Sequence, residues 1–85
     1  MNEDAAERTA KYLEATSTAL SKMKRKNLPA TIPEARLDYV LELVRSYIKD
    51  SKHYSDSKKP VTSLACIAYA EGLLDAAKLL DLVEF

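Results

Sequence analysis

Apolar residues recur along the chain at a spacing near 3.6, in three stretches separated by two proline-bearing breaks, Asn27 to Pro33 and Ser55 to Pro60. That spacing predicts helices over about 3–26, 32–54 and 58–82, and no stretch has the alternation of a strand. In the first, Ala6, Thr9, Leu13, Thr16, Leu20 and Met23 form a narrow stripe flanked by Tyr12 and Ala19. Asn2 is the expected N-cap, and Glu3, Asp4 and Glu7 suit the positive end of the helix dipole. A stripe this rich in Ala and Thr has little to bury, so this helix is expected to be the least stable.

The second stretch opens on Thr31 with Glu34 three residues on, the pattern of a capping box, and Pro33 fits a first helical turn. Its stripe is Leu37, Val40, Leu41, Val44, Tyr47, Ile48, Ser51 and Tyr54, with Asp38, Glu42, Arg45, Lys49 and Lys52 on the other side. The third, capped by Ser57, has its strongest apolar arc along Val61, Ala65, Ala68, Tyr69, Gly72, Leu73, Ala76, Leu79, Leu80 and Val83. Ala68, Gly72 and Ala76 recur every four residues, and small side chains at that spacing let a large neighbour approach. Tyr47 is the expected neighbour, over Ala68, with Gly72 against the Leu43 region. Short connections favour antiparallel neighbours, so the pattern predicts one all-α domain, 1–85, folded as an up-down-up antiparallel three-helix bundle.

Composition narrows the function more than it defines it. Eighty-five residues allow a single small domain, and 13 Lys+Arg against 13 Asp+Glu give no net charge. That balance argues against a general nucleic-acid or membrane-surface binder. One Cys and one His exclude an internal disulfide and a zinc site, so no cofactor or metal is expected. The acidic start is unlike a secretory signal, and a reducing cytoplasm is the expected compartment.

Four features invite a chemical reading. Lys22, Lys24, Arg25 and Lys26 form a basic patch, which either contacts phosphate or complements the C-terminal end of a helix dipole. In an up-down-up bundle that end also receives Asp75, Asp81 and Glu84, which favours the second reading. His53 projects to the polar side, and its separation from Arg45 exceeds the Arg-to-His spacing of small HEPN-type ribonucleases. Glu71 and Asp75, four apart, are a carboxylate pair without an EF-hand loop or a Glu-x-x-His partner. Arg36, Tyr39 and Lys78 are candidate partners for them. Cys66, at the edge of the apolar arc, reads as an inert, half-buried thiol. None of these is a catalytic constellation, so the chain is not expected to be an enzyme.

The third stretch carries more apolar surface than one core arc requires. With the core arc set as above, Leu64, Ile67 and Leu74 fall outside it, with Glu71 and Lys78 beside them. Either the first helix wraps further round to cover that stripe, or a homodimer or another protein partner docks on Leu64, Ile67 and Leu74; the second is the expectation.

The run Tyr69-Ala70-Glu71-Gly72-Leu73-Leu74-Asp75-Ala76, within Leu64–Leu80, resembles the C-terminal signature of a mainly archaeal family called domain of unknown function 357. Ser46-Tyr47 with Ser51 and Tyr54 is compatible with it, while Ser55-Asp56-Ser57 departs from the Gly-Asp turn of the family. The resemblance implies a left-handed three-helix bundle similar to small albumin-binding domains, with Glu71, Gly72 and Asp75 as signature positions and no established activity. Fusion of some relatives to nucleotidyltransferase-like domains implies an accessory or interaction role. The expectation is therefore a non-enzymatic interaction module, with a weak nucleic-acid or nucleotide-pathway accessory using Lys22–Lys26 as the alternative.

Overall fold

The computed structural model describes residues 4–85. It contains helices α1 (Ala5–Lys22), α2 (Glu34–Asp56) and α3 (Pro60–Leu79), with two short strands, β1 (Lys24–Arg25) and β2 (Val83–Glu84). No helix among the described residues is long and apolar enough to cross a membrane. The three-helix, all-α architecture is the one the periodicity predicts.

The ends of the helices differ from expectation for local reasons. Asp4 caps α1, its side chain accepting from the backbone N–H groups of Ala6 and Glu7; the expected cap, Asn2, lies outside the described residues. α1 stops at Lys22, short of the expected Lys26, because Lys24 and Arg25 leave the helix to pair antiparallel with Glu84 and Val83. Two residues are too few to leave a readable alternation. The expected capping box of α2 does not form: Pro33 occupies the N-cap and offers no side-chain acceptor. A residue before proline is kept out of the α region, which starts the helix after the proline. Ser57 closes α2 instead of opening α3, whose N-cap is Lys59.

Two matching turns end α2 and α3. After α2, Lys58 is left-handed at φ 60°, Lys58 N–H bonds to Ser55 C=O, and Lys59 N–H bonds to Tyr54 C=O at 2.8 Å. After α3, Asp81 is left-handed at φ 61°, Asp81 N–H bonds to Lys78 C=O, and Leu82 N–H bonds to Ala77 C=O at 2.9 Å. Both are Schellman motifs without the usual glycine. The second ends α3 at Leu79, not Leu82, and turns Leu82 and Val83 into the core.

That core has two heptad-like seams. Leu37, Leu41, Val44, Ile48 and Ser51 of α2 are buried against Ser63, Ile67, Ala70, Leu74 and Ala77 of α3. Near the α2–α3 turn, Ser51 and Ser63 exchange hydroxyl hydrogen bonds and let the helices come close. Farther along, the Tyr47 and Tyr69 rings meet with centroids 4.6 Å apart. Stepping back four residues on α2 thus moves six forward on α3, so the two run antiparallel. α1 leans mainly on α3, and its buried residues are Thr9 and Thr16. The β1–β2 pair joins the C-terminal ends of α1 and α3, which fixes the up-down-up order.

The core arc expected on α3 is therefore turned to the wrong side. Ile67 is 0% and Leu74 2% exposed, while Val61 is 73% and Leu79 84% exposed. A Cβ at Gly72 would meet nothing within 4 Å among the described residues, so Gly72 does not pack against α2. Tyr69, not Ala68, is the residue that meets Tyr47. The physical cause is that α3 is apolar all round: its charged residues are Glu71, Asp75 and Lys78 alone. A helix without a polar face gives periodicity nothing to orient on.

Candidate functional site

A pocket of about 180 Å³ lies between α1 and α3. Ala15, Thr16 and Ala19 form its α1 wall; Glu71, Leu74 and Asp75 form its α3 wall; Phe85 closes one end. Phe85 reaches it because the turn at Asp81 folds the C-terminal strand back along the bundle. The i, i+4 spacing on α3 puts Glu71 and Asp75 on one face, and the Leu74 side chain between them descends into the core.

The polar groups of this pocket have no partner among the described residues. Glu71 is half-buried and Asp75 exposed, and neither has a hydrogen bond or ion pair with a described residue. The expected partners Arg36 and Tyr39 are not engaged with them, and the Lys78 ammonium sits over the Phe85 ring instead, 4.4 Å from its centroid. Thr16 is 3% exposed, and its Oγ1 is buried without a hydrogen-bond partner. Two like charges at this spacing repel by about 0.2–0.5 kcal/mol, and a buried unpaired hydroxyl costs about 1–3 kcal/mol. The sequence marked the two carboxylates; Thr16 was legible only as a core position, and Phe85 carried no signal.

The basic patch is partly neutralised. The Arg25 guanidinium holds Asp38 Oδ1 and, at 2.5 Å, Glu34 Oε2, which raises its already high pKa chiefly through the Asp38 hydrogen bond. Lys26 Nζ reaches Asp81 at 3.2 Å. Lys22 and Lys24 remain without a carboxylate partner among the described residues. His53 is exposed, edge-on to the Tyr54 ring. Cys66 is half-buried, and desolvation, then the Asp50 charge, pushes its thiol up, away from a reactive thiolate. No cluster of three or more metal-ligating His, Cys, Asp or Glu occurs among the described residues.

The expected partner surface needs correction. Leu64 is half-buried and Ile67 and Leu74 are core residues, so no patch exists at those three positions. The exposed apolar surface of α3 is its opposite side: Val61, Ala65, Ala68, Gly72, Ala76 and Leu79, with Tyr69 on the flank. These are the residues that the apolar arc assigned to the core.

Fold and pocket together define a small three-helix domain with a carboxylate-lined groove and one bare helix face. The chain belongs to the family described as protein of unknown function (DUF357), whose model matches residues 11–83. The match begins within α1 and extends over α2 and over α3, which carries the signature Glu71, Gly72 and Asp75. Comparison with curated proteins and with solved structures gave no match.

Proposed function

We propose that the protein is a non-enzymatic interaction module that associates with a second copy of itself through the outer face of α3. The observation that carries this reading is the size order along that face. Val61, Ala65, Ala68, Gly72, Ala76 and Leu79 run large, small, small, small, small, large. Such a stripe is its own complement in an antiparallel pair: Val61 meets Leu79 of the second copy, and Ala68 meets Gly72. Self-complementarity about a twofold axis is what an isologous interface requires.

Charge supports the same occupant. Lys58 and Lys59 precede α3, and Asp81 follows it. Antiparallel pairing brings each Lys59 toward the Asp81 of the other copy and aligns the helix dipoles favourably. Gly72 adds a third argument. It costs about 1 kcal/mol in mid-helix, and no contact within 4 Å among the described residues explains it; a close helix–helix approach does. Val61 and Leu79 stand about 27 Å apart at ideal helical rise. A strip of that length and one helix wide is at the small end of specific interfaces, so the dimer is weak and reversible.

The alternative nucleic-acid reading is less favoured, because Arg25 and Lys26 are engaged by Glu34, Asp38 and Asp81. A dilution series of amide NMR spectra tests the proposal. Concentration-dependent shifts at Val61, Ala65, Ala68, Gly72, Ala76 and Leu79 are expected. Shifts confined to the Lys22–Lys26 end, or none into the millimolar range, would overturn it.

A further inference from the structure

The α3 stripe is not the whole of the exposed apolar surface. Tyr39 is 61%, Tyr69 51% and Leu80 66% exposed. The contact of the Tyr69 ring with Tyr47 places Tyr69 on the α2 side of the stripe. Steps of four lead back along α2 from Tyr47 through Leu43 to Tyr39, and steps of four and seven lead along α3 from Tyr69 through Leu73 to Leu80. Leu43 and Leu73 are half-buried, so the two rows border a shallow apolar groove between the helices. Because α2 and α3 are antiparallel, Tyr39 lies two turns from the Tyr47–Tyr69 contact, level with Ala76. No charged residue interrupts the Tyr39, Leu43, Tyr47 row. The α1 side of the stripe, by contrast, carries Glu71, Asp75 and Lys78.

Resting on the self-association proposed above, we infer that the second copy also docks across this α2–α3 groove, with Tyr39, Tyr69 and Leu80 as the side chains that fix affinity and register. Area is the first argument. A strip about 27 Å long and one helix, ~10 Å, wide covers about 270 Å² per copy, or about 540 Å² for the pair. A specific interface clears roughly 1,000 Å². Adding a second helix at the usual ~10 Å spacing doubles the width and brings the pair to about 1,080 Å². Symmetry decides which second helix it is. In an antiparallel pair about a twofold axis, each flank meets the same flank of the other copy. Val61 opposite Leu79 puts that axis beside Ala70. A tilt toward α1 would then bring Glu71 against Glu71 of the second copy, two like charges. A tilt toward α2 brings Tyr69 against Tyr69 of the second copy, an aromatic pair. The same register sets Tyr39 over Ala65 of the second copy, a large ring on a small residue, and Leu80 beside its Val61. Exposed tyrosines of this kind supply large contact area at low entropic cost.

The test combines sedimentation equilibrium of the wild type, Tyr39→Ser, Leu80→Ser and Asp75→Ser with an isotope-filtered NOE experiment on mixed labelled and unlabelled wild type. Tyr39→Ser and Leu80→Ser alter exposed side chains and are expected to keep the wild-type helicity by circular dichroism. Each removes two side chains per dimer and is expected to weaken association roughly ten- to hundredfold. Asp75→Ser, on the opposite flank, is expected to leave it within about twofold. NOEs between the Tyr39 ring and the Ala65 methyl group are expected across copies. Within one chain Ala65 lies three turns of α3 from the level of Tyr39, so such a signal can only be intermolecular. The NOE is read on the wild type and decides even where a substitution lowers helicity. A dimer that lacks this NOE would overturn the inference. So would Tyr39→Ser and Leu80→Ser proteins that associate as the wild type does while Gly72→Glu stays monomeric, an outcome that leaves the α3 stripe standing. A wild-type chain that stays monomeric into the millimolar range would overturn both.

Discussion

Ser51 and Ser63, both fully buried, each donate a hydroxyl hydrogen bond to the other's backbone carbonyl, at 2.9 and 2.5 Å. The two hydroxyl oxygens are 3.0 Å apart. The pair lies beside the turn between α2 and α3, where a larger side chain would force the helices apart. Ser63→Ala removes one hydroxyl and leaves part of the reciprocal set unmade, for an expected loss of about 1 kcal/mol. Ser51→Leu overpacks the same site and is expected to cost about 1–3 kcal/mol or more. Urea denaturation of both variants checks this. A Ser51→Leu protein as stable as wild type would mean the helices are not held closely at this level.

The two faces of α3 answer oppositely to substitution. Ile67→Lys inserts a charge at a position with no exposure and is expected to abolish cooperative folding. Gly72→Ala, on the open side, is expected to stabilise the protomer by about 0.5–1 kcal/mol through helix propensity alone. Thermal unfolding at low protein concentration compares them. A destabilised Gly72→Ala would return position 72 to a packed environment.

Lys58 holds a left-handed conformation that suits glycine far better. Lys58→Gly relieves a steric penalty of about 1–2 kcal/mol, offset in part by the added freedom of the unfolded chain. A net gain of about 0.5–1 kcal/mol in unfolding free energy is expected. The same change at Asp81 is expected to gain less, because aspartate tolerates this conformation and its carboxylate binds Lys26.

α1 is expected to open first. Its buried residues are two threonines, and the buried apolar set lies on α2, α3 and the C-terminal strand. Native-state hydrogen exchange is expected to give amides of α1 lower protection than those of α3. Equal protection would mean that α1 melts only with the whole domain.

The legible and illegible parts of the fold divide along physical lines. α2 has a charged side opposite Leu37, Leu41, Val44 and Ile48, so its buried face could be read directly from the sequence. α3 has no such side. Ile67 and Leu74 were assigned to the surface because Glu71 and Lys78 neighbour them, yet Glu71 is itself half-buried at the rim of the core. The four-three-four-three spacing of Ser63, Ile67, Ala70, Leu74 and Ala77, matched to that of α2, was the signal that could have oriented the helix. The Asp81 turn was invisible because a non-glycine residue occupies it, and with it went the strand pairing and the Phe85 wall. The electrically mixed end was legible: Lys26 finds Asp81, and Lys24 lies opposite Glu84. The carboxylates of the pocket were legible as a pair, but their meeting with Thr16 depends on how α1 docks.

Sedimentation equilibrium of the wild-type chain beside Gly72→Glu tests self-association through α3 most directly. The wild type is expected to show a reversible monomer–dimer equilibrium between tens and hundreds of micromolar. Gly72→Glu, which puts a charge at the centre of the stripe at a position where a Cβ meets nothing within 4 Å among the described residues, is expected to stay monomeric and fully helical over the same range. A wild-type chain that remains monomeric at millimolar concentration, or a Gly72→Glu chain that associates as the wild type does, would contradict it.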